Sequence, residues 1–157
     1  MSVLFYRIDD RLIHGQVMTG WSKLYRANRI IVIDNTTASN SFLCQVMKMS
    51  VPSGMDVKIL NEEEGLEAVL NDEPGARTIV LTKTPAAMLK LVNGGAEMKE
   101  LNLGGMGYLP GRKLILRNIQ ISPDELKELQ EIEAKGVDVF CQIVHDGKRV
   151  ELDKVKI

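Results

Sequence analysis

The sequence predicts an α/β fold: an open, mostly parallel doubly wound sheet of about seven strands, with helices on both faces and an antiparallel hairpin at the C-terminal edge. Short runs rich in Val and Ile alternate with segments of helical periodicity along the chain, as in proteins built from strand–helix–strand units. The runs lack regular polar alternation, which is typical of strands buried on both faces. A turn signal at Asp146-Gly147 separates the last two strand-like runs and predicts the hairpin.

The strands are expected where the apolar runs fall, at 3–9, 29–34, 56–60, 77–82, 99–103, about 113–121 and 137–144. Between them, apolar residues spaced by three or four positions predict amphipathic helices. The first helix begins near Gly15 and carries Trp21 on its apolar face, so Trp21 is expected in the core. The remaining helical faces are formed by Phe42, Leu43, Val46 and Met47, by Leu66, Val69 and Leu70, and by Met88, Leu89 and Val92.

The clearest helix is expected over 123–135, because both of its ends carry recognisable signals. Ser122 suits the N-cap, Pro123 suits the first helical position, and Glu125 completes a capping box. Gly136 follows as the residue that ends the helix in a left-handed conformation.

The chain has 157 residues without a linker of Pro, Gly and Ser or an internal repeat, so residues 1–157 are expected to form a single domain. A net charge of −1 and an aromatic content of 4% argue against nucleic acid as a partner. No apolar run approaches the roughly 20 residues of a membrane-spanning helix, and no signal-peptide pattern opens the sequence. The expected compartment is therefore the cytoplasm.

Sequence motifs for metal and nucleotide sites are missing. The chain holds two histidines and two separated cysteines, without a metal-binding spacing. It has no phosphate-binding P-loop motif, and the glycine-rich segment at 104–107 does not complete a GxGxxG pattern because Pro110 occupies the last position. We therefore expect neither a metal nor a cofactor.

The segment directly after the first strand concentrates residues that can carry chemistry: Arg7, Asp9, Asp10, Arg11 and His14. Ligands of open α/β sheets bind beyond the carboxyl ends of the strands, and a helix that begins near Gly15 would offer its unpaired N–H groups to an anion. The guanidinium of Arg11 matches phosphate oxygens. An aspartate could hold one ring nitrogen of His14 as N–H and leave the other as a nucleophile.

The residues by themselves leave two interpretations of His14 open. It could carry a phosphoryl group, or it could be a hydrogen-bonded structural histidine beside an ordinary salt bridge between Arg7 and Asp9, worth ~0–1 kcal/mol. Which of Asp9 and Asp10 faces the imidazole is also left open by the sequence.

The run RIDDRLIHGQV at 7–17 closely resembles the active-site segment of the IIB subunits of the bacterial sugar phosphotransferase system, mannose/fructose/sorbose family. Trp21 after the histidine, the strand at 29–34, the turn at 81–85 and the segment at 103–106 are similar to that family as well. The resemblance covers residues 5–140, and the tail at 145–157 matches poorly.

This resemblance implies that His14 is phosphorylated on the ring nitrogen nearest the backbone, Nδ1. The donor would be a phosphohistidine on a IIA partner, and the acceptor would be the sugar imported by the membrane subunits IIC and IID. The chain would then be a phosphohistidine–sugar phosphotransferase that reaches the membrane only through the permease. The family's fold, an open and mostly parallel α/β sheet, agrees with the fold predicted from the strand and helix patterns.

Several further residues are expected to act with His14. Arg11 is the preferred phosphate ligand, and Asp10 is the preferred group for orienting the loop or the ring. Contacts to phosphate or to its loop are expected from Arg7, Gly15 and Gln16, from Thr82, Lys83 and Thr84 after the fourth strand, and from Gly104, Gly105 and Met106 after the fifth. Thr84 is equally suited to cap the helix that begins at Pro85, and Met106 is a candidate exposed contact for partners. His145, at the predicted hairpin turn, is expected to be structural.

Two other functions use the same fold and remain open. A non-catalytic module could bind a phosphorylated ligand at this edge, and a regulatory protein could use the phosphorylated state as a signal. Replacement of His14 by Asn discriminates the binding module from the phosphocarrier, because an anion binder would lose little and a carrier would lose its activity.

Overall fold

The computed structural model describes residues 3–15 and 17–155, with the backbone alone for residues 17 and 18. The strands are β1 (Val3–Asp9), β2 (Arg29–Ile33), β3 (Asp56–Leu60), β4 (Thr78–Thr82), β5 (Glu100–Gly105), β6 (Lys113–Leu116), β7 (Ile119–Ile121), β8 (Asp138–Cys141) and β9 (Val150–Glu151). Seven of them form one sheet in the order β3-β2-β4-β1-β5-β8-β9. All neighbours are parallel except β8 and β9, which are antiparallel. The predicted fold class is confirmed.

Helices connect the strands across both faces of the sheet. They are α1 (Ser22–Tyr25), α2 (Asn35–Ala38), α3 (Ser41–Met49), α4 (Glu62–Leu70), α5 (Pro85–Asn93) and α6 (Pro123–Ala134). A π-helical segment, Val17–Trp21, precedes α1 directly, and a short 3-10 turn, Leu152–Lys154, follows β9. π-helical turns are rare and often occur at functional sites.

The ends of α6 agree with the sequence signals. The hydroxyl of Ser122 accepts a hydrogen bond from the N–H of Glu125, and the Glu125 carboxylate accepts one from the N–H of Ser122. Gly136 follows with a φ of 92°, a conformation that glycine adopts without a steric penalty. The capping box and the helix stop are therefore confirmed.

The single strand expected at 113–121 is wrong. The chain instead folds into the antiparallel pair β6 and β7, a separate two-stranded sheet. Asn118, between the two strands, has a φ of 65°, and Asn is one of the few residues that tolerate this left-handed conformation in a turn. The C-terminal hairpin is present, although its strands are shorter than expected because 142–147 forms a loop.

Two apolar clusters fill the spaces on either side of the sheet. One lies under α4, α5 and α6 and includes Leu91, Leu129 and Ile132. The other lies under the N-terminal helical region and α3, and includes Phe5 and Trp21. The ring centroids of these two aromatic residues are 4.5 Å apart, and Trp21 is buried as expected.

The register of the central strands brings three chain segments to one edge of the sheet. Ile8 pairs with Thr82 of β4, and Asp9 pairs with Gly105 of β5. The segments at 9–15, 82–84 and 105–107 therefore leave the sheet side by side. None of the helices in the described part of the chain is long and apolar enough to cross a membrane.

Candidate functional site

A tight turn at the end of β1 places His14 over Asp9. The N–H of Leu12 donates to the carbonyl oxygen of Asp9 at 2.9 Å, and Leu12 has a φ of 57°. This left-handed conformation is costly for a residue with a branched side chain and persists only where the surroundings hold it. The Leu12 side chain is fully buried in the second apolar cluster, so its packing holds the turn in place.

The carboxylate of Asp9 is the centre of the site. One of its oxygens lies 2.7 Å from Nε2 of His14 and 3.0 Å from Nη2 of Arg7. Arg11 binds it with its backbone N–H and with Nε and Nη2 of the guanidinium, at 3.0 to 3.1 Å. Asp9 is completely buried, so these contacts replace the water that a charged carboxylate would otherwise require.

The surroundings keep the carboxylate of Asp9 ionised. Its burial by itself would raise the pKa, but the hydrogen bonds from His14 and Arg11 and the charge of Arg7 outweigh burial and hold the pKa far below its usual range. An ionised carboxylate can only accept hydrogen bonds. When the imidazole is neutral, Nε2 must therefore carry the hydrogen, and the ring lone pair belongs to Nδ1.

Arg7 lies beneath the site rather than in it. Its guanidinium is fully buried and donates to the side chain of Asn102 and to the carbonyl oxygens of Gln142 and Ile143, as well as to Asp9. Burial lowers the pKa of Arg7, against the opposing charge of Asp9. The expected phosphate contact from Arg7 is therefore corrected to a supporting contact, because the side chain is fully buried and both of its Nη groups donate to partners inside the protein.

The two aspartates have different positions. The carboxylate of Asp10 accepts a hydrogen bond from the backbone N–H of Gly107 at 2.6 Å, and the Asp10 N–H donates to the carbonyl oxygen of Gly105. Asp10 thus orients the loop, whereas Asp9 contacts the imidazole. The sequence left open which of the two aspartates faces the imidazole, and Asp10 was the preferred group for orienting the loop or the ring. The spacing of Asp9 was the available signal, since residues 7 and 9 of a strand point to the same face.

Glycines at the end of β5 and directly after it make room for the charged side chains of the site. A Cβ atom on Gly104 would overlap the guanidinium of Arg7, and one on Gly105 would lie 3.0 Å from Oδ1 of Asp9. One on Gly107 would lie 3.1 Å from Oδ2 of Asp10. Gly104 and Gly105 therefore give the side chains of Arg7 and Asp9 on the neighbouring strand β1 the space that they occupy, a reason that the sequence pattern did not reveal.

Three other residues predicted at this edge, Met106, Thr84 and Thr82, make contacts that stabilise the fold. Met106 is fully buried, so the expected exposed contact is wrong; its N–H and carbonyl pair with Asn118 and Gln120. Thr84 accepts a hydrogen bond from the N–H of Ala87 and caps α5. Thr82 is buried and donates to the carbonyl oxygen of Thr84.

Lys83 lies at the same edge, with its ammonium 3.7 Å from the carboxylate of Asp34. Gly15 is exposed and has open space where a side chain would begin. Gln16 lies outside the described residues. Among the described residues, no group of histidines, cysteines and carboxylates is arranged to hold a metal ion.

The arrangement is chemically suited to carry an anionic group on the imidazole. Two guanidinium groups flank one buried carboxylate, and the side chain of Arg11 is 46% exposed while it remains anchored to Asp9. An anchored guanidinium with exposed N–H groups can bind phosphate oxygens with little loss of side-chain entropy. His14 itself is only 16% exposed, so its ring orientation is set largely by the protein.

Comparisons with known proteins place the chain among sugar permease components. The family model described as "PTS system sorbose subfamily IIB component" matches residues 3–156. The sorbose-specific EIIB component of Klebsiella pneumoniae is 31% identical over 99% of this chain and 96% of its own length. The N-acetylgalactosamine-specific IIB component 1 of Escherichia coli is 28% identical over 96% of each chain. The crystal structure of the IIBSor domain of the sorbose permease from Klebsiella pneumoniae superposes with a TM-score of 0.90 at 30% identity, covering 98% of this chain and 96% of that one.

Proposed function

The chain belongs to the sorbose subfamily of phosphotransferase-system IIB components, and we propose that it is the phosphocarrier of a sugar permease, with His14 as the residue that accepts and donates the phosphoryl group. Phosphotransferase chemistry is the function of the family to which it belongs. The role of His14, the donor and the acceptor are the parts that we propose.

The observation that carries this proposal is the 2.7 Å contact between Nε2 of His14 and the buried carboxylate of Asp9. It assigns the hydrogen of the neutral ring to Nε2 and the nucleophilic lone pair to Nδ1. The same carboxylate stabilises the positive charge that develops on the ring while the phosphoryl group is attached.

In the first transfer, the Nδ1 lone pair of His14 attacks the phosphorus of a phosphohistidine on the IIA partner. The new Nδ1–P bond forms as the donor's N–P bond breaks, and the electron pair of that bond returns to the donor's imidazole nitrogen. Nε2 keeps its hydrogen throughout. The exposed guanidinium of Arg11 and backbone N–H groups of the following helical segment stabilise the charge that spreads over the phosphoryl oxygens.

In the second transfer, a hydroxyl oxygen of the sugar attacks the phosphorus and the Nδ1–P bond breaks. The bonding pair returns to Nδ1, and the hydroxyl proton leaves to a base at the sugar site. The sugar is held by the membrane subunits IIC and IID in this proposal, so the chain works in the cytoplasm at the inner face of the permease. Its relatives carry names with different sugars, and in this proposal the membrane subunits select the sugar.

The test is the intact mass of the purified protein after incubation with phosphoenolpyruvate, the general phosphotransferase proteins and a cognate IIA. We expect the gain of one acid-labile phosphoryl group. His14→Ala should gain none, because it lacks the nucleophile. His145→Ala is the matched control, since these are the two histidines of the chain, and it should reach the same end-point mass as the wild type.

A wild-type protein that gains no mass from a charged IIA would contradict the carrier function. If such a protein still bound inorganic phosphate, and if His14→Asn kept that binding, a non-catalytic phospho-ligand module would replace it. A gain in mass that survives in His14→Ala would contradict the assignment of the site.

A further inference from the structure

We propose that His145 is a positioning residue for the phosphoryl transfer, and that the loop at 142–147 braces the segment that carries His14. This inference rests on the proposed function for its consequence in catalysis.

The imidazole of His145 occupies the space in which a side chain of residue 20 would lie. A Cβ atom on Gly20 would overlap Nδ1 of His145 and would lie 3.1 Å from Cε1 and 3.3 Å from Cγ. Gly20 is buried and belongs to the π-helical segment that follows His14. Glycine destabilises a helix by about 1 kcal/mol relative to alanine. At position 20 its missing side chain leaves the space that the imidazole of His145 occupies.

The ring of His145 also contacts Trp21, the next residue of the same segment. The two ring centroids are 6.4 Å apart in an edge-to-face arrangement. Trp21 also contacts the guanidinium of Arg7, whose Cζ atom lies 5.3 Å from the ring centroid. Trp21 therefore connects His145 with the cation that binds Asp9.

Hydrogen bonds within the loop at 142–147 stabilise its backbone. The side-chain amide of Gln142 donates to the carbonyl oxygens of His145 and Gly147, at 3.2 and 3.1 Å. The N–H of Gly147 donates to the carbonyl oxygen of Val144 and closes the turn. These hydrogen bonds are all within the loop, and they hold the backbone of the residue that carries the His145 imidazole.

The same loop is hydrogen-bonded to the site through Arg7. Arg7 donates to the carbonyl oxygens of Gln142 and Ile143 at 3.1 and 3.0 Å, and to the carboxylate of Asp9 at 3.0 Å. Asp9 in turn holds Nε2 of His14. The loop thus reaches the phosphoacceptor by two routes, one through Arg7 and Asp9 and one through His145 and Gly20.

The consequence is that residues 20 and 145 should be strongly coupled in function. In the wild-type background, Gly20→Ala should slow phosphoryl transfer from IIA about tenfold, the order of coupling seen between residues in contact, because the new methyl group displaces the imidazole. In the His145→Ala background the same methyl group occupies the space left by the ring, so Gly20→Ala should slow transfer no further. His145→Phe keeps a flat ring over Gly20 and should restore most of the rate lost in His145→Ala.

The experiment compares the transfer rates and the spectra of these variants. Trp21 is the single tryptophan of the chain, so its fluorescence reports directly on the His145 contact. The ¹⁵N chemical shifts of the His14 ring report its tautomer. We expect both signals to change in Gly20→Ala and in His145→Ala, and the double variant to match His145→Ala.

Gly15→Ala is the control, because it adds a methyl group directly after His14, at a position where nothing lies within 4 Å. Its effect should be the same with and without His145. Equal slowing by Gly20→Ala in the two backgrounds, or His14 ring shifts that ignore residue 145, would overturn the proposal. If the wild type gains no phosphoryl group, the proposed function fails, while the fluorescence and the ring shifts still decide whether the brace exists.

Discussion

The carboxylate of Asp9 contacts three different side chains: the buried guanidinium of Arg7, the partly exposed guanidinium of Arg11 and the imidazole of His14. Removing one partner from a buried charged cluster leaves the others without compensation, which costs more than the cluster contributed in the first place. At the residue scale, the behaviour of the site therefore depends on Asp9 more than on any group that touches the phosphate.

Asp9→Asn should lower the free energy of unfolding by about 3–5 kcal/mol, because the buried Arg7 loses its counter-charge. The sign of the pH dependence follows from the depressed pKa of Asp9. Its contribution is complete above the unfolded value of about 3.9 and is lost as the pH falls below it toward the folded value. Urea unfolding at a series of acidic pH values measures this.

Asp10→Asn is the matched control for that measurement, since it changes a neighbouring aspartate that bonds the loop instead of the cluster. We expect Asp9→Asn to flatten the acid dependence and Asp10→Asn to keep most of it. Equal losses of stability in the two variants would contradict the prediction that the buried charge of Asp9 contributes more to stability than that of Asp10.

Arg11→Lys tests the second guanidinium. Lysine keeps the charge but cannot bind Asp9 with two N–H groups and still present a planar fork to phosphate. Loss of a charge-assisted hydrogen bond of about 1.5–3 kcal/mol corresponds to a transfer rate lower by about 10- to 150-fold. Single-turnover transfer from phosphorylated IIA measures it, and a rate within twofold of wild type would contradict the role of the fork.

At the scale of the elements, strand β5 is adapted to its neighbour β1. The cationic and acidic side chains of β1 need volume on the side of β5, and the glycines at 104 and 105 provide it. An added Cβ there meets a guanidinium and a carboxylate that are themselves buried and have no room to withdraw.

Gly104→Ala should therefore destabilise the protein by at least the ~1–3 kcal/mol of an overpacked core, because it displaces the guanidinium of Arg7 from Asp9. Thermal or urea unfolding measures the loss. Gly15→Ala serves as the control for stability, since open space surrounds that position. A Gly104→Ala variant as stable as Gly15→Ala would mean that the guanidinium of Arg7 can move without a loss of stability, and would contradict the prediction.

At the scale of the whole molecule, charge is distributed unevenly around a net value of −1. Residues 1–29 hold five basic groups against two aspartates, and the run at 61–75 holds six acids and no base. The exposed Arg11 and the partly exposed Lys83 belong to the edge that carries His14. A basic rim of this kind would attract an anionic phosphorylated partner.

Transfer from IIA should consequently slow several-fold as salt is raised from about 20 mM to about 500 mM, because salt screens the attraction that steers the encounter. The measurement is the second-order rate constant at several salt concentrations. Lys83→Gln should weaken the salt dependence of the rate. Lys135→Gln, which changes the C-cap residue of α6, should leave the salt dependence unchanged. A rate that does not respond to salt would contradict electrostatic docking.

The fold was largely predictable because its signals are local. Strands buried on both faces lack polar alternation, and the caps of α6 are read from residues a few positions apart. The pair β6 and β7 was missed because only the left-handed conformation of Asn118 divides the apolar run. The helix cap by Thr84 and the core position of Trp21 also came from local spacing.

The sequence by itself determined the α/β class, the order of the elements apart from the pair β6 and β7, and the segment in which chemistry is concentrated. Only the tertiary structure decided that Asp9, and not Asp10, holds the imidazole. It also showed that Met106 is buried, and that Gly104 and Gly20 make room for Arg7 and His145. The physical reason is that periodicity reports which face a residue occupies, whereas the partner of a side chain depends on which strand lies alongside, and β5 joins β1 across more than ninety residues.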